Sequence, residues 1–64
     1  MVTGELIMAI LEFTKLGGYV RVAAIDEKTG TEAVSILPAN LSRKDMETAA
    51  MRRLKYVMER KSDS

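Results

Sequence analysis

In residues 19–26 (YVRVAAID), Val20, Val22 and Ala24 alternate with Arg21, Ala23 and Ile25. In residues 31–37 (TEAVSIL), Val34 and Ile36 alternate with Ala33, Ser35 and Leu37. A period of two sends successive side chains to opposite faces of an extended chain, so both segments are predicted strands. Between them, DEKTG fits a four-residue hairpin loop. Asp26 can accept hydrogen bonds from loop amides, Glu27 and Lys28 suit right-handed turn geometry, and Gly30 supplies the positive φ that closes the loop.

Beyond Pro38 the period changes. Met46, Ala49, Ala50, Leu54 and Val57 fall on one face at helical spacing, and no Gly or Pro interrupts residues 43–61. Ser42 is a good N-cap, with Asp45 three residues on in the position of a capping box. Leu41 and Met46 occupy the two positions of a hydrophobic staple. The pattern predicts a helix over 43–61 and a frayed tail over 62–64.

Residues 5–16 (ELIMAILEFTKL) admit two readings. Glu5, Glu12 and Lys15 can share a helix face with Gly17 as the C-cap. Against this, Gly17-Gly18 between two apolar runs is a two-residue hairpin signal, and Ile10, Phe13 and Thr14 suit a strand. The strand is preferred, with the helix as the alternative. The expected fold is α+β: a three-stranded antiparallel meander (5–16, 19–26, 31–37) followed by one C-terminal helix across one sheet face, as a single domain over 1–64. On the expected register the helix covers Val20, Val22, Ala24, Val34 and Ile36. The other face keeps Tyr19, Ala23, Ile25, Ala33 and Leu37.

Composition narrows the chemistry. The chain has 64 residues, with no cysteine and no histidine. Disulfides and thiolate metal sites are excluded, and the commonest general base and metal ligand are missing. No catalytic residue, cofactor or metal site is expected. A domain of about 60 residues buries only about 60% of its unfolded-chain surface, so oligomerisation is the usual further source of burial. No apolar run approaches the roughly 20 residues of a membrane span, and the run from Leu6 to Leu11 has no preceding Lys or Arg, unlike a secretory signal. A cytoplasmic protein is the default expectation.

Net charge is +1 and unevenly spread. Residues 1–41 hold three basic and five acidic residues, and residues 42–64 hold seven basic and four acidic. The predicted helix therefore carries the positive charge, and Lys44, Arg52 and Lys55 are candidate contacts for an anion or nucleic acid. Intermixed acids weaken that field, and an ordinary solvated face is the simpler reading. Arg53 falls beside the apolar stripe, where it can snorkel along the core edge or pair with Glu12 or Glu32. Phe13 and Tyr19 would supply two bases' worth of stacking if both faced solvent, but they can equally pack as core.

EKTGT is close to the Asp-Lys-Thr-Gly-Thr phosphorylation motif of cation-pumping ATPases, with its Asp one place too early. That chemistry needs a parallel α/β scaffold and further carboxylates for magnesium. Turn geometry explains every residue of the loop without it.

Other short pieces point elsewhere: Gly4-Glu5, Glu12-Phe13-Thr14, Val22 to Asp26, Thr29 to Glu32, Pro38-Ala39-Asn40 and Arg53 to Val57. In these the chain resembles a family of very short bacterial proteins of unknown function. The resemblance implies a strand for the first segment and brings no activity, ligand or site. The leading expectation is thus a small non-enzymatic, homodimeric protein-interaction module. Its candidate interface is Leu6, Met8, Ile10, Tyr19, Ala23, Ile25 and Leu37, with Met8, Met51 and Met58 as adaptable contacts. A small nucleic-acid-binding domain is the alternative.

Overall fold

A computed structural model describes residues 8–62. Three strands, β1 (Ala9–Leu16), β2 (Tyr19–Asp26) and β3 (Glu32–Pro38), are followed by one helix, α1 (Arg43–Ser62). The sheet is an antiparallel meander in the order β1-β2-β3. This is the expected α+β arrangement, and residues 9–16 are strand rather than helix. The expected start of that strand at residues 5–7, including Leu6, lies outside the described residues.

Both turns follow from their glycines. Leu16 pairs with Tyr19 across Gly17-Gly18, and Gly17 has φ of 60°, matching a type II′ turn with glycine first. At the second turn, Asp26 N–H donates to Thr31 O (2.8 Å) and Gly30 N–H donates to Asp26 O (2.8 Å). Gly30 has φ of 76°, and a Cβ built there would meet nothing within 4 Å. The cost of a side chain is therefore purely backbone. Gly30→Ala is expected to destabilise the fold by about 1 kcal/mol, and Lys28→Ala to be nearly silent, in urea unfolding. An equal, large loss from both would rule out this turn.

The second turn also sets the register of β3. Asp26 and Thr31 face each other across four loop residues, so Ala24 pairs with Ala33, Val22 with Ser35 and Val20 with Leu37. Cross-strand partners share a face. Ala33, Ser35 and Leu37 therefore lie under the helix, while Val34 and Ile36 lie on the opposite face. This reverses the expected parity of β3. Apolar alternation favours burying Val34 and Ile36, but a one-residue slip flips every side chain, and the loop length decides which slip is allowed.

The core consists of Val22, Ala24 and Ala33 from the sheet with Met46, Ala50 and Leu54 from α1. Three of the six are alanines, so the helix can sit close to the strands. Leu41 and Val57 pack at its margin. Asp45 N–H donates to Ser42 Oγ (3.0 Å), so Ser42 caps the helix as expected. The Arg43 guanidinium lies 4.0 Å from the centroid of the Phe13 ring and ties the first helical turn to β1.

Candidate functional site

The DEKTG loop is a closed hydrogen-bond unit. Thr29 Oγ1 and Thr29 N–H both donate to Asp26 Oδ2, at 2.8 and 2.9 Å. Thr31 N–H donates to Thr29 Oγ1 (3.2 Å), and the two threonine hydroxyls are 2.8 Å apart. The Asp26 carboxyl is held below its ordinary value of 3.8, first by the Thr29 hydroxyl and then by the Thr29 N–H, against the opposing effect of burial. Its Oδ2 is committed to the turn, which is a structural use.

A pH dependence follows from that shift. A carboxyl with a lowered folded-state value stabilises the fold above its ordinary value and loses that contribution as pH falls through the folded one. Wild-type melting temperature should therefore fall more steeply than that of Asp26→Asn between about pH 5 and pH 2. Parallel curves would mean that the carboxylate contributes nothing to folding.

The helix charges do not form one site. Lys44, Arg52 and Lys55 are all exposed. Lys44 and Lys55 are eleven residues apart, roughly 16 Å along the axis at about 1.5 Å per residue. Arg52 instead turns toward β3. Phe13 and Tyr19 lie on opposite faces of the sheet, Phe13 packed against the core and Tyr19 57% exposed. The paired stacking platform of a single-strand nucleic-acid sheet is therefore not formed. Glu12 and Glu32 lie on the face away from α1, so neither is placed to pair with Arg53.

Two other features emerge. The first is the uncovered sheet face. Alternation from the paired positions places Met8, Ile10, Leu16, Tyr19, Ile25, Val34 and Ile36 there, together with Glu12, Arg21 and Glu32. Met8, Ile10, Leu16, Tyr19 and Ile36 are each 47–59% exposed. Of the expected interface residues, Met8, Ile10, Tyr19, Ala23 and Ile25 belong to this face. Ala23 is fully buried at its centre, walled in by its neighbours. Leu37 does not belong to it, because the β3 register turns it toward the helix, where it packs at the core margin. Met58 also packs at that margin rather than on this face, and Met51 is half-buried on α1.

The second feature is a shallow, largely solvent-open groove of about 490 Å³ where α1 passes over β3. Leu37 and Ala49 supply its apolar part, Ser35 a hydroxyl, and Arg52, Arg53 and Tyr56 its helical wall. Neither the Arg52 nor the Arg53 guanidinium has a hydrogen bond or ion pair among the described residues. Arg60 donates to Tyr56 Oη (3.2 Å), extending the positive flank by one turn. Helical periodicity alone hides this groove, since Arg52 and Arg53 read as separate faces. Its sequence signal is the small Ala49 beside the arginines, opposite a strand whose inward side carries Ser35.

Comparison with protein-family models matches residues 8–61 to DUF6898, a domain of unknown function. The chain belongs to this family. The match runs from one residue before β1 to the penultimate residue of α1, so the DUF6898 domain here is the whole β-β-β-α unit. No curated protein and no solved structure matches the chain. Among the described residues of this DUF6898 domain no group of three or more His, Cys, Asp or Glu gathers, and no helix is long and apolar enough to cross a membrane.

Proposed function

We propose that this DUF6898 domain is a non-enzymatic protein-interaction module that works as a homodimer, two copies stacking their uncovered sheet faces about a two-fold axis. One observation carries the reading: five large apolar side chains stand about half exposed on the face opposite the helix. Three strands about 4.8 Å apart and eight residues of about 3.3 Å each give that face a footprint of roughly 400 Å². The apolar side chains on it are interrupted by Glu12, Thr14, Arg21 and Glu32, and apolar patches within such an area are often functional. The charges on the face also suit a second copy. Glu12, Arg21 and Glu32 offer both signs, so Arg21 of one protomer can meet a glutamate of its partner across the axis. Stacking two small cores into one supplies burial that a 64-residue chain lacks.

Light scattering behind a sizing column tests this. At micromolar concentration the expected mass is twice the 7.1 kDa of the chain, and the melting temperature should rise with protein concentration. A monomeric mass with a concentration-independent melt would defeat the proposal.

A further inference from the structure

The outer edge of β3 and the groove beside it share a geometry that the dimer does not use. In an antiparallel ladder the hydrogen-bonded pairs alternate. The bonds at Asp26–Thr31 and from Ala39 N–H to Gly18 O fix the alternation here. Ala33, Ser35 and Leu37 bond inward to β2, so Glu32, Val34 and Ile36 turn their N–H and C=O groups outward. Among the described residues no strand pairs with that edge, since β3 ends the sheet. A strand added there would lie about 4.8 Å beyond β3, its side chains alternating between the two faces. Those on the helix side would enter the groove, facing two arginines without acidic partners. Those on the other side would continue the apolar row of Val34 and Ile36.

We propose that the β3 edge and this groove dock an extended peptide segment in which acidic residues alternate with apolar ones. Arg52 and Arg53 take its carboxylates, the planar guanidinium matching a carboxylate in two-point contact. Leu37 and Ala49 form the apolar bed for the carboxylate stems. A second copy of the domain is a poor occupant. Pairing β3 with β3 would set Arg52, Arg53 and Arg60 of one protomer against those of the other. The inward residues of β3 are Ala33, Ser35 and Leu37, with no acid among them. The proposal is independent of face-to-face dimerisation, which leaves this edge open.

Fluorescence polarisation with a labelled eight-residue peptide of alternating Glu and Val tests it on the full chain. The expected result is saturable binding, weakened about tenfold or more by R52Q/R53Q, whose side chains are exposed and whose fold circular dichroism can verify. Methylating alternate peptide nitrogens, so that they cannot donate to the β3 carbonyls, should weaken binding similarly without touching the protein. The same peptide with Lys for Glu should not bind. Absence of binding at millimolar peptide would overturn the proposal. So would equal binding of the Lys peptide, insensitivity to R52Q/R53Q or insensitivity to the methylation. Stronger binding of a single-stranded or duplex oligonucleotide, abolished by R52Q/R53Q, would reassign the groove to nucleic acid.

Discussion

Leu54→Ala is expected to cost about 3–5 kcal/mol and to leave much of the population unfolded at room temperature. Leu54 is fully buried, with Val22 one of the two largest side chains in that state. Its surroundings explain why the cost falls at the upper end of the range for such truncations. The cluster around it includes Ala24, Ala33 and Ala50, methyl groups on sheet or helix backbone that cannot swing in to fill a void. A cavity there stays open, and the loss grows with its residual volume. A chain of this length has roughly 3–10 kcal/mol of stability to lose, at about 0.05–0.15 kcal/mol per residue. Urea unfolding followed by circular dichroism measures the effect. With a slope of about 1 kcal/mol per molar for a small domain, the midpoint should move by roughly 3 M or vanish below measurable denaturant. Tyr56→Ala, at a 51% exposed site, is the control and should stay within about 1 kcal/mol. A Leu54 shift no larger than that of Tyr56 would mean the helix does not pack on the sheet as described.

Much of this fold is legible in the sequence because its local signals agree. The capping residue Ser42, the staple pair Leu41 and Met46 and the uninterrupted run after them all mark one helix. The Gly-Gly and DEKTG turns bound β2 at both ends, and that strand spans Tyr19–Asp26 as expected. At β3 two signals conflict. Val34 and Ile36 are the more apolar set, yet the helix covers Ala33 and Ser35. Small residues are what a close helix requires beneath it, and Ala50 above them shows the same economy of volume. The four-residue loop already contains the answer, since a closing pair at Asp26 and Thr31 forces Ala24 opposite Ala33. The groove is less legible, because it depends on where α1 crosses β3. That crossing is a tertiary fact set by the packing of Met46, Ala50 and Leu54, and periodicity within the helix says nothing about which strand lies below its flank.

Neighbouring residues of β3 then separate folding from association. Leu37→Glu should destabilise each protomer by about 1–2 kcal/mol, through loss of half-buried apolar surface at the core margin, with Arg52 and Arg53 across the groove offsetting part of the cost of the new charge. That loss should be the same at every protein concentration. Ile36→Glu puts the same charge on the opposite face, at a site 55% exposed in the single chain. Its cost to the protomer should stay within the roughly 1 kcal/mol range of strand propensities. Its effect on the proposed dimer should be far larger, because two copies of the new carboxylate would be trapped in the contact and desolvated without partners. If the proposed dimer forms, light scattering should therefore report a monomer for Ile36→Glu at concentrations where the wild type gives the dimer mass. The melting temperature of Ile36→Glu should match that of diluted wild type and no longer vary with concentration. The two residues differ by one position in the chain, so strand propensity is nearly matched and the face, with its neighbours, is what differs. Equal, concentration-independent destabilisation by both would show that β3 is buried on both sides within one protomer. A dimer that survives Ile36→Glu would move the contact off the sheet face, for example to the outer edge of β1, which no other strand pairs with among the described residues.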